Sequence, residues 1–415
     1  MKHLLNRLRN LGPGLLVTAA FIGPGTVTAA SKAGADYRLA LLWAVMFSLL
    51  ATIVLQEMAA RLGIVSRRGL GEAVRTSFRS RYLMYAAIGL VILAIGFGNA
   101  AYQTGNLTGA ASGVEQLTGI SYRIWTLVIA ALAFGLLLAG AYRWIERVLI
   151  GLVIVMSLVF LATAALVKPD PVELLRGAFI PSFPTGSVFT VVALIGTTVV
   201  PYNLFLHASS VQEKWPESFP RREALSLARW DTTLAVVLGG MVTAAIVTTA
   251  AAASVGSGEI KDAADMARQL EPLLGAWAES FFAIGLLAAG LTSAITAPLA
   301  AAYAVGGVLG WPRDLKDRRL RGVWMAVMLL GALVAATLGE SPTEVIVVAQ
   351  IANGLLLPLI AALLLWAVNR KDLMGEYRNG LGGNVIGVAV VLVTSLLAAN
   401  IFRQVFLGLA KVWSE

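Results

Sequence analysis

Residues 12–34 read GPGLLVTAAFIGPGTVTAASKAG, and residues 187–209 read SVFTVVALIGTTVVPYNLFLHAS. Each is long and apolar enough to cross a bilayer, which takes about 20 mostly apolar residues. Each is also interrupted near its middle. Gly23-Pro24-Gly25-Thr26 interrupts the first, and Pro201, with Gly196 a turn earlier, interrupts the second. Proline lacks the N–H that closes a helical turn and collides with the turn before it. Glycine favours non-helical dihedrals. Backbone opened at mid-bilayer persists only where it lines a cavity or meets a ligand. Two readings stand at this point: a pair of proline kinks, which membrane helices tolerate, or two helices broken to form a site.

The rest of the chain matches these two stretches. Of its 415 residues, 58% are apolar and 13% charged. A soluble domain carries roughly 25% charged residues, and no soluble globule hides this much apolar surface. Eleven apolar runs follow one another, at 12–34, 40–62, 82–111, 122–141, 146–167, 187–209, 230–254, 276–307, 322–339, 342–368 and 384–409. The first is not a cleaved signal peptide, because it is twice broken by Gly-Pro-Gly and leads directly into another span. The expectation is an all-α integral membrane protein, a single transmembrane domain over 1–415. The first and sixth spans are five apart, the spacing of a five-plus-five inverted repeat whose matching broken helices mark the substrate site. The repeats are then 12–167 and 187–368, with 384–409 as an extra eleventh helix.

The net charge of +9 invites a nucleic-acid reading. Placement argues against it: 23 of the 32 Lys and Arg fall in alternate inter-span segments. By the positive-inside rule this gives a cytoplasmic N-terminus and an external C-terminus in the plasma membrane, with the cations beside anionic lipid. No cysteine and two histidines leave little for a metal or catalytic cluster. No nucleophile–base pair is visible either, so an enzyme is not expected. No cofactor and no partner beyond the bilayer and a small cation or polar solute is implied; the chain is read as a monomer.

Several spans carry polar residues. Asn99, Gln103 and Asn106 share one face of the third span, Gln350 and Asn353 one face of the tenth, and Asn203 and His207 one face of the sixth. Such residues either hydrogen-bond helices together or line a pathway, and the pattern leaves both open. Thr26 and Thr28 are placed to cap the second half of the first span, and that helix start favours an anion or water. The carbonyls near Ala20 to Gly23 suit a cation. Glu57 and Arg61, four apart, read as a structural or gate ion pair near the inner end of the second span.

At the breaks the sequence resembles the Nramp family of divalent-metal transporters. GPGLLVTAAFIGPGTVTAASKAGADYRLALLW followed by LQEMAARLGIVSRRGLGEAVR looks like the family's first two helices, and IGTTVVPYNLFLHASSVQ like its sixth. AAGLTSAITAPLAAAYAVGGVLGW is similar to its eighth and AQIANGLLLPLIAALLLW to its tenth. The resemblance implies the LeuT-like fold with eleven helices, alternating access, and a site between helices one and six.

The family's functional residues are altered here. Its first-helix motif is Asp-Pro-Gly-Asn; this chain has Gly23-Pro24-Gly25-Thr26. Its sixth-helix motif is Met-Pro-His-Asn; this chain has Val200-Pro201-Tyr202-Asn203. A pair of carboxylates three apart, on the family's proton path, corresponds to Gln103 and Asn106. Binding charge, soft ligand and proton relay are replaced together. The oxygen ligands that remain are the Thr26 hydroxyl, the Asn203 and Gln350 amide carbonyls, and backbone carbonyls near Ala20 and Thr197. Such a hard, neutral cage suits a magnesium ion that keeps most of its waters better than manganese or iron. The expected substrate site is therefore Gly23, Thr26, Thr197, Val200, Tyr202, Asn203 and Gln350. The rival expectation is a small polar or zwitterionic solute, held by Tyr102, Tyr202 and Gln103.

Overall fold

The computed structural model describes residues 22–412, except 79, 141, 255–259, 313, 315 and 338–340, and every regular element among them is helical. In chain order these are α1 (Pro24–Tyr37), α2 (Leu42–Ser66), α3 (Leu70–Ser77), α4 (Arg81–Thr118), α5 (Tyr122–Ala139) and α6 (Tyr142–Val167). Then come α7 (Pro171–Phe179), α8 (Val188–Thr198), α9 (Pro201–Lys214), α10 (Arg221–Ala253), α11 (Ala263–Ala267) and α12 (Glu271–Leu274). The last five are α13 (Ala278–Leu309), α14 (Arg318–Thr337), α15 (Pro342–Asn369), α16 (Lys371–Met374) and α17 (Leu381–Val412).

Ten helical stretches among the described residues are long and apolar enough to cross a membrane, counting α8 with α9 and α11 through α13 as one each. The expected first span is only half described. Its second half is α1, of 14 residues, and residues 12–21 lie outside the description, so the count of eleven is not established. The expected start of the seventh span moves from 230 back to Arg221, where α10 begins. Its first turns are polar and project beyond the apolar run. The short α3 and α7 were not anticipated, because a search for 20-residue apolar runs passes over eight- and nine-residue helices.

The sixth span breaks as its sequence predicts. α8 stops at Thr198, α9 starts at Pro201, and Val199 and Val200 bridge them in non-helical conformations. Proline 201 has no N–H to give the Thr197 carbonyl, so the helical bond at that point is missing by covalent structure. α1 likewise starts with proline at its first position, behind Gly23.

The packing is organised around α4 and α13, which lie against each other over much of their length. α1 packs on α10 and α9 packs on α2; α4 packs on α15 and α13 on α6. Each pair becomes the other when spans are shifted by five, as a two-fold related architecture requires. Small residues permit the closest approaches. A side chain on Gly109 of α4 would overlap the Pro24 ring, so this glycine seats the start of α1.

One end of the bundle is tied by basic residues. Arg61 of α2 meets Glu57 at 3.2 Å, donates to the Tyr377 carbonyl at 2.7 Å and also donates to Asn379. Arg229 of α10 donates to the other Glu57 oxygen at 2.9 Å. Arg67 reaches the Trp215 carbonyl, and Arg370 reaches the Ser77 carbonyl. The bonds from Arg370 also lower the pKa of Asp372. Segments 57–77, 214–229 and 370–384, all from the basic side of the sequence pattern, thus meet at one end.

Candidate functional site

The start of α1 and the break between α8 and α9 face each other. The Thr26 and Thr197 hydroxyls are 2.8 Å apart, a bond between residues 171 positions apart in sequence. Both side chains are fully buried. This bond corrects one expectation. Thr26 and Thr28 do not cap α1, which has no side-chain cap. The amides of Thr26 and Val27 turn back to the Gly23 carbonyl at 3.0 and 3.2 Å. Thr26 is used across the site, and the Thr28 hydroxyl finds no partner among the described residues.

Gln350 of α15 completes the bridge. A Cβ on Gly25 would overlap the Gln350 side-chain amide, and a Cβ on Gly196 would overlap the Gln350 backbone carbonyl. The residue therefore spans both breaks, with its side chain on α1 and its backbone on α8. Neither atom of its amide group has a hydrogen-bond partner among the described residues. On the other side of Gly23 lie Ser293 and Tyr102. A Cβ built there would sit 2.9 Å from the Ser293 hydroxyl and 3.7 Å from that of Tyr102. The Tyr102 ring meets the Tyr202 ring edge-on at 5.5 Å.

Asn203, in the first turn of α9, is fully buried with neither amide atom partnered among the described residues, and Val200 caps α9 from a buried position. Buried amides are normally satisfied, and leaving one bare costs about 1–3 kcal/mol. Gln350 and Asn203 thus carry buried amides with hydrogen-bonding capacity that no described residue takes up.

The proposed residues are not all together. Gln103 turns away from the breaks. Its Nε2 donates to the Ala294 carbonyl at 3.1 Å and approaches the Met328 sulfur at 3.0 Å, which places it in the seam between α4, α13 and α14. Asn106 is fully buried, and its amide has no partner among the described residues. His207 faces α10, 3.2 Å from the Thr232 hydroxyl, and acts as packing. Ser293 was missed from the sequence. Its signal was the polar TSAIT stretch within an apolar span, which carries three hydroxyls, Thr292, Ser293 and Thr296, and no spacing rule to choose between them.

The electrostatics of the site are neutral. Among the described residues no group of three His, Cys, Asp or Glu is arranged to hold a metal ion. What the site offers is hydroxyls, amides, the Thr197 carbonyl freed by Pro201, and the N-terminal end of α1.

A bundle in which a broken helix and the start of another meet at buried polar groups is the architecture of LeuT-like membrane transporters. Solved structures agree. The chain superposes on the Eremococcus coleocola manganese transporter, crystallised with an aromatic bis-isothiourea compound, with TM-score 0.76 and 24% identity, over 95% of this chain and 86% of that one. It also matches MhsT in complex with L-phenylalanine, with TM-score 0.58 and 17% identity, over 94% of this chain and 97% of that one. Residues 14–404 match the family model described as natural resistance-associated macrophage protein-like. A Bradyrhizobium diazoefficiens protein named divalent metal cation transporter MntH is 33% identical over 94% of this chain and 88% of its own length. A Klebsiella pneumoniae protein of the same name is 28% identical over 97% and 96%. The chain belongs to the Nramp family.

Proposed function

We propose that the protein is a secondary transporter of a divalent cation, a hard one such as magnesium in preference to manganese or iron. It works by alternating access, without strong proton coupling. The observation that carries this reading is the site itself: hydroxyls and amides between two helix breaks, with no carboxylate, thioether or imidazole at the family's motif positions. Hard neutral oxygens suit an ion that keeps most of its waters, and softer ligands are what select later transition metals. The relatives named as divalent metal cation transporters support the cargo class. The ligands are Thr26, Asn203 and Gln350, beside Gly23, Thr197, Val200 and Tyr202. The repeats 12–167 and 187–368 rock about them. The N-terminus lies in the cytoplasm and the C-terminus outside, in the plasma membrane. Gln103 and Asn106, neutral at the former proton path, are the basis for weak coupling.

The test is uptake by the purified protein in liposomes, with a pH-sensitive dye inside. Magnesium entry without acidification is expected. Robust proton entry alongside the metal, or manganese strongly preferred over magnesium, would refute the reading.

A second reading has one observation in its favour. The start of α1 is flanked by Ser293, Tyr102 and Tyr202 with no carboxylate among them, an environment that also fits a small zwitterion. Thermal stabilisation of the purified protein by an amino acid, in the absence of any divalent metal, would select it.

A further inference from the structure

At the basic end of the bundle, α10 and the segment after α16 border an open surface groove of about 470 Å³ that the transport site does not use. Its polar lining is Arg222, Ser226, Arg229, Trp230, Thr233 and Tyr377. The α10 members recur at helical spacing, so one face of one helix supplies the cations, the hydroxyls and the indole. No carboxylate is among the described lining residues. Arg221 adds a third cation, 5.9 Å from the Tyr377 ring centre.

Arg229 has one role already, since its Nε donates to Glu57 at 2.9 Å. A guanidinium has five N–H groups in a planar fork, so the terminal nitrogens are left for a second anion. The side chain is 58% exposed, and Arg222 and Ser226 are exposed beside it. The apolar run of α10 begins at Leu234. Arg229 and Trp230, within about a turn and a half of that point, sit where headgroups lie, and Arg222 stands two turns further out on the same face. Two and three turns beyond Trp230, the same flank presents Val237, half-buried, and Met241, 51% exposed. A cationic, hydroxyl-bearing cradle thus continues into an apolar track along one helix.

We infer that this groove binds the phosphate headgroup of an anionic phospholipid, with an acyl chain lying along Val237 and Met241. The phosphate is gripped by Arg222 and Arg229, and the Ser226 hydroxyl donates to it. Arginine suits phosphate by matching two oxygens at once, and a basic pocket between helices at the anionic leaflet is the chemistry of headgroup recognition. The apolar track selects a lipid over a free phosphate. The inference does not depend on which cargo the transporter moves.

The experiment is native mass spectrometry of the full-length protein, purified in mild detergent and equilibrated with phosphatidylglycerol or phosphatidylcholine. We expect phosphatidylglycerol to be retained preferentially. Arg222→Gln should reduce that retention about fivefold, the effect of one juxtamembrane cation, while Arg222→Lys keeps most of it. Arg319→Gln removes an equal charge from a different exposed segment and should leave retention unchanged. Inorganic phosphate at millimolar concentration should not displace the lipid. Equal retention of the neutral lipid would overturn the inference. So would an Arg319→Gln effect as large as that of Arg222→Gln, or displacement by inorganic phosphate. Arg222 is exposed and outside the helix-tying network, so its substitution leaves the fold intact.

Discussion

Returning a carboxylate to the first break is the sharpest perturbation of this site. In Gly23→Asp the new Cβ lies 2.9 Å from the Ser293 hydroxyl and 3.7 Å from that of Tyr102. Only the serine must give, and its rotation is cheap. The acidic side chain sits at the N-terminal end of α1, where an anion is favoured and aspartate is a good cap. A dication about 4 Å from a carboxylate gains roughly 8 kcal/mol at an effective dielectric of about 20. Desolvating the carboxylate takes back several kcal/mol. If about 2–4 kcal/mol survives, manganese binds roughly 30-fold to almost 1,000-fold more tightly. The control is Gly23→Asn, nearly the same shape without the charge. Isothermal titration of both variants with manganese should separate them by that factor. The gain should shrink on acidification, because the metal must displace a proton from the new carboxyl. Equal affinity in the Asp and Asn variants would show that Gly23 does not face the cargo.

Three further perturbations test the same geometry. Gly25→Ala pushes the Gln350 amide off α1; cargo affinity should fall at least about tenfold, and titration showing unchanged affinity would remove Gln350 from the ligand set. Thr26→Val and Thr197→Val should be non-additive in a thermal-stability cycle by about 1 kcal/mol, the worth of one buried hydrogen bond; strict additivity would mean the 2.8 Å hydroxyl pair does not stabilise the closed breaks. Arg61→Met strips the Tyr377 carbonyl and Asn379 of their donor and leaves Glu57 with Arg229 alone. It should cost about 1–3 kcal/mol, read as a lower melting temperature in a fluorescence scan, and an unchanged melting point would make this end of the bundle a passive contact.

The spans were legible because apolar runs of this length have one stable use, and the two breaks because glycine and proline coincide there. Proline by itself would have misled. Pro298 and Pro358 lie inside the continuous helices α13 and α15, whereas Pro24 and Pro201 each begin a helix. The difference is local. Gly23 and Gly25 flank Pro24, and two β-branched valines precede Pro201 after a glycine, so the chain is already disposed to leave the helix. The cross-site contacts were not legible. That Thr26 pairs with Thr197, and that Gln350 lies on Gly25, depends on how three helices meet, and no periodicity within one helix encodes it. The same holds for Gln103. Its face on α4 was readable, but its amide is directed by the Ala294 carbonyl and the Met328 sulfur, which belong to two other helices.

That seam bears on how transport is driven. A proton relay needs groups that titrate, and Gln103, Asn106 and Met328 do not. The side chain of Gln103 also packs closely against Gly331 of α14, with its amide donor engaged by the Ala294 carbonyl. A transporter of a dication can dispense with the relay. Moving one charge across 100 mV is worth about 2.3 kcal/mol. A dication therefore gains about 4.6 kcal/mol, enough for roughly a 2,000-fold gradient at equilibrium. A neutral site serves this mode better than a charged one. A carboxylate site that returned empty would carry its own negative charge back through the field, whereas a cage of hydroxyls and amides returns without electrical work. The neutral site and the neutral seam thus fit the proposed mode together, since a cation driven by the membrane potential needs a titrating group at neither.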